Sequence, residues 1–292
     1  IVVIGDRQFR SLAELRSVRD ERDVERYIAF NRAINGEEEG QFCTRLLRYH
    51  PETRRADFQL VEDARTREVV STTCLIPWVC RYEGIPLRVA MLEMVATHPQ
   101  YRHRGLVRTQ IARFHRLVAE RGFDLSIIQG IPYYYRQYGY AYALDHSGAD
   151  TLPIWRIPTS EGAMGCHYTL REAVQEDGPV LTGLYERAMS EVPIHVARNA
   201  EFWAYLIAHV RVPVHILEDR STGRAGGYVA IRPMKNGQGT QITESAILGM
   251  DMAWAAMRAI RARGGQEIRL GWPQDGDLVR LGRSLGSQPL PG

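Results

Sequence analysis

The run Arg102-His103-Arg104-Gly105-Leu106-Val107-Arg108 packs cations around the start of an amphipathic helix. A helix N-terminus carries partial positive charge on its unpaired N–H groups and ordinarily attracts Asp or Glu, so each misplaced cation costs about 0.3–1 kcal/mol. The arrangement makes physical sense if those N–H groups and the forked guanidinium donors hold an anion, with Gly105 letting the backbone come close. A pyrophosphate fits that description; a solvated basic turn is the other reading. Upstream, Glu93 lies in the apolar strand "AMLEMVATHP", between Leu92 and Met94. Strict alternation puts it on one face with Met91 and Val95. Burial there raises a carboxyl pKa and suits a general base working through water. Pairing with Arg81 or Arg88 across the neighbouring strands is the structural alternative. Downstream, "YYYRQYGY" gathers Tyr133, Tyr134, Tyr135, Tyr138 and Tyr140. A phenol there can return a proton to a leaving group, or the set can simply form an aromatic wall.

The elements that must position these residues are readable from periodicity. A short strand and a helix occupy "FRSLAELRSVRDERDVERYIAFNRAIN", and "GEEEG" breaks the helix. A meander of three or four strands follows, with turn signals at "EDARTRE" and "YEGIP". The helix 106–121 has Val107, Ile111, Phe114 and Val118 on one stripe and Gly122 at its end. "FDLSIIQGIP" reads as a strand and "YAYALDHSGADTLPIW" as a further strand pair. The loop-like "RIPTSEGAMG" marks a boundary between domains 1–156 and 157–292. Beyond it the order recurs: a strand, helical segments, three strands, a helix over 251–263, a strand and a last helix. This is a duplicated architecture rather than a short sequence repeat.

Composition narrows the function classes. The chain has 292 residues, 45% hydrophobic and 24% charged, enough for two domains. Its net charge of +3 does not call for nucleic acid or an anionic membrane as partner. Cys43, Cys74, Cys80 and Cys166 form no CxxC pair and no zinc spacing with His, so no metal site is expected. Cys74 and Cys80 share strand parity, which leaves a disulfide between them open. No apolar run reaches the ~20 residues of a membrane span, and a cytoplasmic protein is expected. The exposed face of the second domain is the candidate surface for a homo-oligomer. The Walker and dinucleotide-binding spacings are absent. Glu37, Glu38 and Glu39 read as a solvated acidic loop, with attraction of a cationic acceptor as the alternative.

Taken together, the strand, the Arg102–Gly105–Val107 loop, the helix and the later "YYRQYGY" stretch resemble the GNAT superfamily of acyl-CoA-dependent N-acyltransferases. The loop is similar to that family's [Q/R]xxGx[G/A] signature, with Val107 in place of the usual small residue. The resemblance covers Leu15 to about Trp155, and the second half resembles the same fold more faintly. It implies an α+β or α/β chain of two GNAT-like domains, each a mixed, mostly antiparallel sheet flanked by helices. The second domain, with no arginine-glycine loop and with Asp251 at the corresponding helix start, reads as a degenerate copy. The resemblance further implies transfer of an acetyl group from acetyl-CoA to a primary amine of a small molecule or peptide, in a ternary complex. Glu93 is the expected base and Tyr135 the acid that faces the CoA sulphur, with Tyr134 as the fallback. The main chain of Val95, Ala96 and Thr97 would take the pantetheine arm. Arg102, His103, Arg104, Gly105, Leu106, Val107 and Arg108 would take the pyrophosphate. A module that senses acyl-CoA without chemistry is the alternative function.

Overall fold

The computed structural model describes residues 13–144, 148–159, 166–234, 236–273 and 275–290. They divide into two compact units, one running to Ala141 and including Pro193–Ala197, the other made of Tyr142–Val192 and the residues from Arg198 onward. In the first unit the order is β1 (Ala13–Ser17), α1 (Glu21–Asn35), α2 (Glu37–Arg48), β2 (Phe58–Asp63), β3 (Val69–Tyr82), β4 (Ile85–Thr97), α3 (Leu106–Glu120) and β5 (Leu125–Ile127). The sheet order is β1-β2-β3-β4-β5. All pairs are antiparallel except β4–β5, which needs a crossover, and α3 supplies it. One face of the sheet buries Phe58, Leu60, Cys74 and Ile76 against Val24, Tyr27 and Ile28 of α1 and Cys43 and Leu46 of α2. The other buries Leu75, Ala90 and Leu92 against Ile111 and Phe114 of α3.

The acidic run 37–39 departs from the loop expected of it. Gly36, at φ 99°, ends α1 and starts α2 at once, so Glu37, Glu38 and Glu39 form the first turn of a helix. That is where helix polarity favours carboxylates.

The second unit contains β6 (Ala149–Pro153), β7 (Tyr168–Glu172), α4 (Gly178–Ala188), α5 (Ala200–Tyr205), β9 (Val214–Asp219), β10 (Ala225–Pro233), β11 (Gly239–Ala246), α6 (Met250–Ala262), β12 (Glu267–Trp272), α7 (Asp277–Ser284) and β13 (Gln288–Leu290). The intervening β8 (Ile194–Val196) pairs with β3 in the first unit. The second sheet runs β7-β9-β10-β11-β12-β6-β13. Two mixed sheets flanked by seven α-helices are thus described. The segment 149–153, expected in the first domain, hydrogen-bonds to β12 and β13 instead. Its Leu152 is fully buried among Ile268, Leu270 and Leu278. Alternation shows that the strand has a buried face but not which sheet receives it.

Both sheets repeat one path of five strands, with a helix between the fourth and fifth, and the repetition extends to side chains. Arg16 on β1 donates from both terminal nitrogens to Asp23 (2.5 and 2.7 Å) and from Nε to Glu62 (2.8 Å). Arg171 on β7 does the same to Asp177 (2.7 and 2.8 Å) and Glu218 (2.7 Å). The next residue in each second strand builds the same turn. Asp63 accepts from the amides of Arg65 and Thr66, and Asp219 from those of Ser221 and Thr222. The stretches Leu60-Val61-Glu62-Asp63 and Ile216-Leu217-Glu218-Asp219 share the Glu-Asp pair at matching places in the two strands.

Candidate active site

The site begins with a fault in β4. Cys74 faces Glu93 and Thr72 faces Ala96, so Thr73 alone spans Met94 and Val95. This is a one-residue β-bulge, and Met94 takes φ 55° to make it. The hydroxyl of Thr72 lies 3.0 Å from the Met94 carbonyl and 3.1 Å from Asn31 Oδ1, holding the bulge in place. The bulge also corrects the alternation expected from sequence. Met94 packs with Phe58 and Leu60 on the α1 side, while Val95 crosses to the Leu75–Leu92–Phe114 side, away from Glu93 and Met91.

β5 follows β4 only from Val89↔Leu125 to Met91↔Ile127. Past Met91 the outer edge of β4 has no strand partner among the described residues. The Ala96 carbonyl turns toward β3, where Ser71 Oγ lies 2.8 Å away, and the His98 amide donates to Val70 on the same side. Alternation then places the main-chain groups of Val95 and Thr97 on the open edge. Of the three residues named from the sequence, Val95 and Thr97 have main-chain groups on this edge and Ala96 lies between them.

Glu93 is half-buried and has no arginine partner among the described residues. Arg81 is opposite Pro86, and Arg88 donates to the Gly122 carbonyl. Burial raises its pKa to about 7, helped by Glu39 and opposed by the Met94 amide, 3.3 Å from Glu93 Oε2. A carboxyl that titrates near neutrality is half-loaded as a base at working pH.

Tyr135 lies in a short 3-10 helix, Tyr134–Tyr138, bracketed by left-handed Tyr133 (φ 66°) and Gly139 (φ 90°). It is 8% exposed and packs with Leu75, Leu92 and Phe114. Tyr134, the fallback, is 37% exposed, and its ring stands edge-on to Tyr135 at 5.0 Å. Burial, then the neighbouring charges of Tyr134 and Glu93, push the Tyr135 phenol up to about 12. Glu93 and Tyr135 thus come from opposite faces of the sheet, yet the Glu93 carboxylate helps raise the Tyr135 phenol. Tyr140 is held by Ser126 (2.7 Å) and approaches His115 at 3.4 Å, a structural use of that histidine. His98 accepts from the Gln100 amide as a loop cap.

At the start of α3, Gly105 has φ 75°, and a Cβ there would meet nothing within 4 Å. Glycine is therefore needed for its backbone angle rather than for space. No side chain caps this end and no acidic residue occupies its first turn. Arg102, His103, Arg104 and Arg108 are exposed, and Leu106 is buried. Arg102 and Arg108 have no ion pair among the described residues. Arg104 lies over the Tyr101 ring at 4.7 Å, and the Tyr101 hydroxyl donates to Asp63 at 2.7 Å. This cationic corner is suited to an anion that supplies its own oxygens.

Two site features leave no signal in the sequence: the bulge with its Thr72 support, and Gly130, against which the Tyr135 ring rests. Neither breaks a residue pattern. All four cysteines are free, including Cys74 and Cys80, which lie on one strand. Among the described residues no group of three or more His, Cys, Asp or Glu could hold a metal, and no helix is long and apolar enough to cross a membrane.

Comparison with known proteins bears on this geometry. Residues 14–143 match the family model described as an acetyltransferase (GNAT) domain. No curated protein matches the sequence. Among solved structures, a probable N-acyltransferase from Enterococcus faecalis shares the fold at TM-score 0.73 and 19% identity, covering 95% of this chain and 70% of that one. A GCN5-related N-acetyltransferase from Anabaena variabilis does so at TM-score 0.69 and 13% identity, over 95% and 70% of the two chains. The N-myristoyltransferase of Saccharomyces cerevisiae, solved with myristoyl-CoA, aligns at TM-score 0.61 and 12% identity, over 88% and 72%. At these identities the likeness is one of fold. Residues 14–143 are thus similar in sequence to GNAT acetyltransferase domains, and the solved structures share the fold.

Proposed function

We propose that the protein is an N-acetyltransferase that moves an acetyl group from acetyl-CoA to a primary amine within a ternary complex. The observation that carries this reading is the parting of β4 from β5 after Met91. It leaves an open strand edge that leads straight to the bare, cationic end of α3. An extended pantetheine arm can pair with the main chain of Val95 and Thr97 as an added strand does. The pyrophosphate would sit against the α3 amides, with Arg102, Arg104 and Arg108 around it. Acetyl-CoA supplies the activated thioester; the chain's own groups move protons. Glu93, ionised above about pH 7, takes the proton of the attacking amine through water. Tyr135 stays protonated throughout the working range and donates to the sulphur as negative charge builds there.

The second unit supports no such chemistry, and we read it as a degenerate copy that retains the fold. The acceptor is a small-molecule or peptide amine, and a cytoplasmic setting fits an acetyl-CoA-dependent reaction.

The test is a thermal-shift titration followed by a screen of amines with free CoA as readout. At a hundredfold excess over its dissociation constant, acetyl-CoA should stabilise the protein by about 2.7 kcal/mol. Arg102→Ala should weaken that binding. No stabilisation at any concentration would end the proposal. Stabilisation without thiol release from any amine would leave a non-catalytic acyl-CoA sensor as the better reading.

A further inference from the structure

Gly130 follows β5 at the point where β4 and β5 have parted. Its φ is not positive, so its backbone conformation is open to any residue. Space is what demands glycine. A Cβ built there would stand 2.3 Å from Cε2 and 2.6 Å from Cδ2 of the Tyr135 ring, and 3.3 Å from Ile128 Cγ1. The ring therefore lies directly on the Gly130 backbone. Other side chains pack around it. Tyr134 stands edge-on at 5.0 Å, Tyr140 packs at 6.1 Å, and Leu75, Leu92 and Phe114 belong to the same buried cluster. The main chain that carries the ring is fixed at both ends by the left-handed residues Tyr133 and Gly139. A methyl group at position 130 would have to push the ring by about 1 Å to reach ordinary contact distance.

We infer that Gly130 is a positioning residue for the reaction: its missing side chain sets the depth of the Tyr135 ring, and so the place of the phenolic hydroxyl. The inference rests on the reading of Tyr135 as the proton donor. Misplacing a catalytic group by about 1 Å costs on the order of 10²-fold in rate. Gly130→Ala should lower kcat by about that factor while KM for acetyl-CoA stays within about twofold, because the diphosphate corner is untouched. In a Tyr135→Phe background, which has no hydroxyl to misplace, the same change should cost less than about twofold. An equal loss in both backgrounds would overturn the inference. So would a crystal structure of Gly130→Ala in which the Tyr135 hydroxyl has not moved. If Tyr135→Phe alone turns over like the wild type, the proton-donor assignment falls, while a displaced ring in the Gly130→Ala structure still upholds the placement. Should Gly130→Ala fail to fold, Gly130→Ala with Tyr135→Leu must restore folding, since the smaller side chain clears the methyl. Failure of that pair would show that something other than the ring requires glycine there, and the inference would be wrong.

Discussion

The two units lay the same five-strand path and treat its chemical end in opposite ways. In the first, α3 starts at a bare glycine among arginines, with no cap and no carboxylate in its first turn. In the second, the corresponding helix α6 starts at Gly249, whose amide donates to Asp277 at 2.6 Å, and Asp251 lies in its first turn. The protein's own carboxylate stands where the first unit would receive an anion. The fourth strands differ likewise. β4 carries Glu93 beside its bulge, with no cation attached, at a pKa near 7. β11 also has an extra residue, Thr243, and next to it Glu244. Arg198 binds Glu244 through both terminal nitrogens (2.7 and 2.8 Å), and Tyr228 donates to it at 2.5 Å. That arginine is itself packed against Tyr185 and Trp203. The difference teaches how one scaffold can leave the polar groups of a helix start open in one unit and occupy them in the other. Internal charges satisfy the polar groups that a ligand would otherwise satisfy, and the scaffold stays intact.

The largest expected effect tests the filled site. Arg198→Met would leave the half-buried Glu244 with only the Tyr228 hydroxyl as a partner and should cost up to about 3 kcal/mol in denaturant unfolding of the second unit. Acetyl-CoA affinity at the first unit should be unchanged. A negligible loss of stability would break the contrast between the paired and the unpaired glutamate.

Next is the proposed acid of the first unit. Tyr135→Phe should lower kcat by about 10²-fold or more, with KM for acetyl-CoA nearly constant. In the second unit, Tyr228→Phe should leave turnover alone and cost about 1–2 kcal/mol of stability through the lost bond to Glu244. Equal kinetic effects from the two tyrosines would contradict the division of labour.

Glu93→Gln joins function to stability through pH. The folded protein holds the Glu93 proton more tightly than the unfolded chain does, about 7 against 4.5. Wild-type stability therefore falls as pH rises through that window, by up to about 3 kcal/mol. The glutamine variant should escape this loss, being more stable than wild type at pH 8 and no different below about pH 4.5. Its turnover should lack the rise with pH that wild type is expected to show near 7. Melting curves and rate profiles across pH 4–9 check both halves.

The smallest effect concerns the self-capped helix. Asp277→Ala should cost about 1 kcal/mol, the usual value of a lost cap. Calorimetric titration should still find a single acetyl-CoA per chain, because Asp251 and the lack of arginines remain. A second equivalent would show that Asp277 alone closes the corner.

Much of this contrast is legible in the residues alone. Helices α1, α3, α6 and α7 and strands β7 and β9 to β12 follow from periodicity and from Gly stops, because their buried faces repeat at helical or strand period, whereas α2 and β13 do not. Gly105 and the arginines beside it stand out because they violate a rule, that helix starts avoid cations. The acidic run 37–39 misleads for want of tertiary context. A charged triplet after glycine looks like a loop unless the next helix is known to begin there.

What the sequence determined by itself was most of the elements and the chemical types at the site: a carboxylate in an apolar strand, a tyrosine cluster, cations at a helix start. Those are local properties, fixed by residue identity and spacing. Only the tertiary structure decided that Val95 turns away from Glu93, that the strand 149–153 belongs to the second sheet, and that Gly130 makes room for Tyr135. It also decided which of two glutamates is left unpaired. These outcomes depend on register, bulges and contacts between residues far apart in the chain, and such pairings are settled by packing energy rather than by any pattern along the sequence.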